Sequence, residues 1–278
     1  MILKNVNLPL YFLTLFLIAL FFYQPSFADT VKDNQAFARI KSTSTIRCGY
    51  FPWPTLLEID LKTKTFSGLA VDYMDAIAQA TNLTYTWDAE LQTQSYVIDL
   101  DNHKIDVACG ALASGAEVGL NVFYTEPLFY ATINTYVADP KKFGTPTALN
   151  QTSTRFAVVE GSAVETMMKA LYPKGTYVTV SQLQGPTQAL LEVTTGKADA
   201  IVMDSMTVGM FVKNNPGALT QVQQPTLSVI GAAMAVSTQE PKLLASLNMI
   251  IQDLKDKGTI KGLIEKYKLT GYLLLQAP

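Results

Sequence analysis

Asp204 ends a strand-like run over residues 198–203. Ser162 follows Glu160 and Gly161 where a second such run stops, and Phe51 and Trp53 follow a third. A carboxylate, a hydroxyl, unpaired backbone N–H groups and aromatic faces at strand ends suit the holding of a small polar molecule. A carboxylate takes an amine by charge-assisted hydrogen bonds, and an aromatic face attracts a cation. Gly161 and Ser162, at a helix start, offer N–H groups to an anion or acceptor atom. Tyr124 and Tyr130 flank Pro127 as further walls, and Glu126 and Glu160 add negative charge near the same mouth. Each has a plainer reading. Asp204, Ser162 and Asp72 also suit helix N-caps, Phe51 suits core packing, the tyrosines suit packing of a turn, and glutamates are usually solvated.

Other chemistry is poorly supplied. His103 is the one histidine and sits between Asn102 and Lys104 in a polar turn, which suits solvent more than catalysis. One histidine and two cysteines leave no metal-ligand spacing, and no nucleophile elbow, phosphate loop or cofactor fingerprint occurs. The expectation is no metal and no cofactor. Cys48 and Cys109 each precede a glycine at the end of an apolar run. They are either bridged in an oxidising compartment or buried as small apolar thiols.

The elements that position these residues alternate. Strand-like runs at 45–50, 83–87 and 105–111 are separated by helical patterns, one of them opening at Asp72 and running through residue 80. Residues 56–60 and 65–67 read as a hairpin closed by Gly68. That order predicts an α/β lobe with a largely parallel sheet. A second α/β lobe begins at residues 155–159, and two further helices are expected at 240–257 and 260–268. Extended crossings near 134–140 and 227–235 let the chain leave lobe one, build lobe two and return. Two such hinges permit closure on a ligand. Ligands sit at the carboxyl ends of strands in such lobes, which brings Phe51, Trp53, Gly110, Ala111, Ala113, Glu160, Ser162 and Asp204 to the cleft. The expected division is 1–28 signal peptide, 29–137 lobe one, 138–230 lobe two and 231–278 the return to lobe one.

The ends point to export. Lys4 precedes an almost unbroken apolar run over 8–23, and small residues at Ser26 and Ala28 fit cleavage after Ala28. No cysteine follows that would carry a lipid anchor, so the expected product is free in the periplasm of a Gram-negative cell. Loss of Lys4 makes the formal charge of -2 one unit more negative. That mild balance offers no stripe for nucleic acid or anionic lipid.

Six segments, in order, carry a resemblance. GLAVDYMDAIAQATN (68–82), NHKIDVACGA (102–111), FYTEPLFY (123–130), VVEGSAVETMM (158–168), GKADAIVMDSMTVGMFV (196–212) and LNMIIQDLKDKGTIKGLIEKY (247–267) resemble the family 3 extracellular solute-binding proteins. These are periplasmic amino-acid receptors of ABC importers, with the type 2 periplasmic binding protein fold. The resemblance implies a monomeric receptor that closes on an amino-acid-like ligand and is read by a membrane permease or a membrane sensor.

It also implies roles. Asp204 matches the position that accepts the ligand's ammonium, and Ser162 the hydroxyl at the helix start. The family's carboxylate clamp, T-x-T-x-x-R, falls here on Ala113, Gly115 and Val118, none of which can hold an acid. Losing both donors should weaken a conventional amino acid on the order of 100-fold, and a backbone nest over 110–115 would recover part of it. The expectation is therefore an amine-bearing ligand with a weak carboxylate requirement, Gly110 and Ala111 carbonyl groups completing the contacts. Some proteins resembling this family are dehydratases. On that alternative Glu126, Glu160 or Asp204 would be a general acid, but the substrates carry carboxylates and the cleft is poor in cations.

Overall fold

A computed structural model describes residues 33–53, 56–91, 96–114 and 119–278. The expected signal peptide, and Gly115 and Val118 of the clamp, lie outside those residues. The first lobe is built from α1 (Gln35–Thr43), β1 (Thr45–Tyr50), the hairpin β2 (Glu58–Asp60) and β3 (Thr65–Ser67), α2 (Leu69–Thr81), β4 (Thr84–Glu90), α3 (Tyr96–Asp101), β5 (Val107–Ala113) and β6 (Val122–Tyr124). The long strand β7 (Phe129–Val137) follows. Then come the one-turn helices α4 (Pro140–Phe143) and α5 (Pro146–Leu149), β8 (Arg155–Val159), α6 (Ala163–Leu171), β9 (Thr176–Val180), α7 (Gly185–Thr194), β10 (Ala200–Asp204), α8 (Ser205–Asn214) and β11 (Thr220–Gln221). A second long strand, β12 (Ser228–Ser237), leads to α9 (Pro241–Asp256), α10 (Thr259–Lys266) and β13 (Leu273–Leu274).

The main sheet runs in the order β4-β1-β5-β12-β7-β10-β8-β9. At one end β4, β1 and β5 are parallel, and at the other β10, β8 and β9 are parallel. Between them lie β7 and β12, antiparallel to each other and to their outer neighbours. Each changes partner midway. Phe129 to Ile133 pair with β12 and Ile133 onward with β10, while β12 leaves β7 at Ala232 and continues along β5 and β6. The fold is thus two α/β lobes joined by two hinge strands. Along the first crossing, residues 133–137 pair antiparallel with β10.

Burial on both faces explains the continuous apolar runs. In β8, Phe156 and Val158 face one core while Ala157 and Val159 face the other, and β10 divides the same way with Val202 and Ile201. In β5, Val107 and Cys109 pack under α2 and α9, and Ala108 packs on the opposite side with Leu100 and Ile105. Helix α9 buries Leu243, Leu247, Ile251 and Leu254, a spacing that lines one face at 3.6 residues per turn.

Cys48 and Cys109 form a disulfide between the neighbouring strands β1 and β5, their Cα atoms 5.3 Å apart and both side chains fully buried. That decides between the two readings left open by the sequence. Asp72 is not an N-cap: the helix starts after Gly68, and Asp72 instead receives Lys266 Nζ at 2.6 Å from α10. No helix among the described residues is long and apolar enough to cross a membrane.

Candidate functional site

The carboxyl ends of β1, β5 and β10 converge on a cavity of about 390 Å³. Phe51, Trp53, Tyr96, Tyr124 and Phe129 form its aromatic wall, Leu56, Leu112, Met206 and Ile230 its aliphatic wall, and Gly110, Ala131 and Ala232 its floor. Asp204 is its one charged lining residue among those described. A second cavity of about 180 Å³ shares Trp53 and Asp204 and runs into the second lobe past Val159, Ser162 and Pro186. The two spaces meet at the acid and the indole.

Asp204 owes its place to a strand-to-helix junction. It ends β10 in an extended conformation and caps α8, its Oδ1 accepting from Thr207 N at 2.8 Å. Among the described residues its Oδ2 has no partner, so the cap reading and a ligand role are compatible, one oxygen for each. Behind it on β7, Tyr136 is buried. Burial first, and the negative charge of Asp204 in smaller part, push its phenol up to about 12. No lysine or arginine among the described residues lines either cavity beside Asp204.

The aromatic wall is held by its own contacts. Phe51 meets Tyr96 edge to face at 6.1 Å, and the Tyr96 and Tyr124 hydroxyls hydrogen-bond to each other at 2.9 Å. Burial, then the bond to Tyr124, raises the Tyr96 pKa. Trp53 is 38% exposed, on a loop pinned by bonds between Trp53 N and Leu57 O at 2.8 Å and between Leu57 N and Trp53 O at 2.8 Å.

Several expectations need correction. Tyr130 does not line the cavity; its neighbours Phe129 and Ala131 do, because alternate residues of a strand face opposite sides. Glu160 is exposed and absent from both linings, and its carbonyl accepts from Gln182 Nε2 at 3.1 Å. Glu126 turns toward α9, its N–H donating to Asn248 Oδ1 and its charge acting on Lys255. The N–H groups of Gly161 and Ser162 are not free. Gly161 N donates to Glu165 Oε2 at 2.7 Å and Ser162 N to Val159 O, while Ser162 Oγ accepts from Glu165 N as an N-cap. This capping arrangement engages the N–H groups of both Gly161 and Ser162.

Residues 110–113 form strand rather than nest. Ala113 pairs with Ala232 and Leu112 with Ala233, and Ser114 N donates to Gly231 O at 2.9 Å. The side chains of Ala111 and Ala113 are outside what the structure describes. Tyr96, Phe129, Met206 and Ile230 were not expected at the site. A parity choice along β7 would have found Phe129. Tyr96 lies in a segment whose polarity hides it.

Every arginine in the sequence is engaged elsewhere. Arg39 and Arg47 both pair with Asp106, and Arg155 pairs with Asp199 at 2.9 Å. Asp106 and Asp199 immediately precede β5 and β10, so these pairs sit at the amino ends of the strands. At about 3.3 Å per residue, Asp199 is roughly 16 Å of strand from Asp204. Among the described residues no three metal-ligating groups gather.

Comparison with known proteins bears on the family and the fold. A "Probable histidine-binding protein" of Campylobacter jejuni is 25% identical over 260 residues, 93% of this chain and 98% of that one. Among solved structures, an ancestral cationic amino acid solute-binding protein superposes with a TM-score of 0.72 at 23% identity, covering 83% of this chain and 98% of that one. A variant of ArgBP from T. maritima gives 0.62 at 26% identity, with 84% and 98% covered. The pattern of the bacterial extracellular solute-binding proteins, family 3, matches residues 46–270, and the chain belongs to that family.

Proposed function

We propose that this protein is a periplasmic receptor that captures a small amine-bearing ligand by closing its two lobes and delivers it to the membrane permease of an ABC-type importer. On this reading the apolar N-terminal run is a signal peptide cleaved after Ala28. Lobe one then comprises residues 29–137 and 231–278, and lobe two residues 138–230. Asp204 takes the ammonium on Oδ2, Trp53 and Tyr124 wall the ligand, and Ser162 borders the second cavity.

The observation that carries the reading is Asp204. Among the described residues it is the one charge in the lining and one of its oxygens is unpaired, and it stands where the two cavities meet. An acid in that setting is completed by a cationic nitrogen. Relatives whose names specify histidine, arginine and cationic amino acids support an amine.

The test is a thermal-shift screen of purified protein against amino acids, amines and polyamines. A ligand at about 100 times its dissociation constant adds about 2.7 kcal/mol of stability. Asp204→Ala should abolish that gain. If the strongest shift came from a dicarboxylic or neutral amino acid and survived Asp204→Ala, the amine reading would fail.

A further inference from the structure

The same cavity says what the rest of the ligand is. This inference rests on the placement of an amine at Asp204. With that acid the described lining includes Leu56, Leu112, Phe129, Met206 and Ile230, with no carboxylate among them to receive a second cation. No lysine or arginine lines either cavity among the described residues, and all three arginines are bound to Asp106 and Asp199. Residues 54–55, 92–95 and 115–118 contain no lysine or arginine either, and one carboxylate, Glu117. The contacts at the start of α6 engage the N–H groups of Gly161 and Ser162, and Ser114 N donates to Gly231 O.

A ligand carboxylate in this space would face Asp204 with no partner, which combines desolvation with like-charge repulsion. A guanidinium or second ammonium beyond Asp204 would meet no carboxylate among the described lining residues. An apolar body meets neither penalty, and rings are well matched to the aromatic side. Away from Asp204, the described side-chain lining of the larger cavity offers the Trp53 indole N–H and the paired hydroxyls of Tyr96 and Tyr124. The two hydroxyls bond to each other and retain hydrogen-bonding capacity for one neutral polar group.

We propose that the ligand is a monoamine on an aromatic or branched apolar body, without a carboxylate: the arylalkylamine class. The amine lies at Asp204, the ring lies among Phe51, Trp53, Tyr96 and Phe129, and a ring hydroxyl, where present, meets the tyrosine pair.

Isothermal titration of the purified mature protein with matched probes tests this. The monoamines are phenethylamine and tyramine, their carboxylated parents are phenylalanine and tyrosine, and the dications are cadaverine and agmatine. The expected result is binding of the monoamines at least on the order of tenfold tighter than that of either other set. Asp204→Asn should remove it. Asparagine caps helices as well as aspartate, so the fold is kept while the charge is lost; circular dichroism checks that.

Equal or tighter binding of phenylalanine or tyrosine would overturn the proposal by showing that the carboxylate has a partner. Tighter binding of cadaverine or agmatine would overturn the apolar body while leaving the amine at Asp204 intact. Monoamine binding that persists in Asp204→Asn, or no binding by any of the six probes, would overturn both this class and the amine reading on which it rests.

Discussion

Arg155 holds Asp199 through its backbone and its guanidinium together: N to Oδ2 at 2.8 Å, Nε to Oδ2 at 3.1 Å and Nη2 to Oδ1 at 2.9 Å. Lobe one repeats the arrangement, with Arg47 N donating to Asp106 Oδ2 at 2.7 Å and Nη2 to Oδ1 at 2.9 Å. In each case the aspartate N–H also donates to the arginine carbonyl. The two clasps fasten neighbouring parallel strands at the end away from the cleft, which is why the arginines are not available to a ligand.

The second clasp gives stability a pH signature. Burial would raise the Asp199 pKa, but the hydrogen bonds and charge of Arg155 more than offset it, and the group titrates below its ordinary value. A depressed folded pKa contributes stability that is present above the unfolded value near 4 and lost as pH falls through the folded value. Arg155→Met should be less stable than the parent at pH 7, and the difference should shrink below about pH 4. Urea titrations at pH 7 and pH 3 measure both; a constant difference would contradict the account.

The disulfide closes a loop between positions 61 residues apart. Chain entropy alone makes such a link worth about 4 kcal/mol, and native disulfides usually deliver about 2–4. Cys48→Ser with Cys109→Ser should lose at least that much, since two buried hydroxyls replace it. Denaturant unfolding with and without reductant checks the value, and thiol titration of the unfolded parent should find no free thiol before reduction.

Glu240 is 1% exposed, and its carboxylate accepts from Ala36 N at 2.7 Å and Phe37 N at 3.1 Å, capping α1 from the far end of the chain. Glu240→Ala would leave those amides without acceptors and cost about 2–4 kcal/mol. Glu240→Gln should recover part of this, because the amide oxygen still accepts but without charge. Equilibrium unfolding of the three proteins orders them.

Binding should separate Trp53 from Tyr130. Trp53→Ala removes a ring shared by both cavities and should weaken the ligand found by screening on the order of tenfold. Tyr130 is outside both linings, so Tyr130→Ala should change affinity less than about twofold whatever it does to stability. Calorimetry on both variants decides whether the strand parity is right.

Gly209 of α8 lies under the Tyr272 ring: a Cβ added there would come within 2.6 Å of it. Alanine gains about 1 kcal/mol of helix propensity, but overpacking costs about 1–3. Gly209→Ala should therefore be neutral to about 2 kcal/mol destabilising, never stabilising, by thermal unfolding.

The sequence by itself determined the α/β alternation, the two crossings, the family and the strand ends that surround the cleft. Those follow from local period and from residues adjacent along the chain. It also determined that Asp204 stands where a strand passes into a helix and that no clamp arginine follows residue 113. Only the tertiary structure decided which side of β7 faces the ligand, since a period of two says that Phe129 and Tyr130 point opposite ways but not which points inward. It decided too that the Gly161 N–H is satisfied by Glu165 and the Ser162 N–H by the Val159 carbonyl, that Cys48 reaches Cys109, and that all three arginines are held by aspartates. Each of those depends on three-dimensional proximity across a turn, a sheet or the whole lobe, and spacing in sequence does not encode such distances.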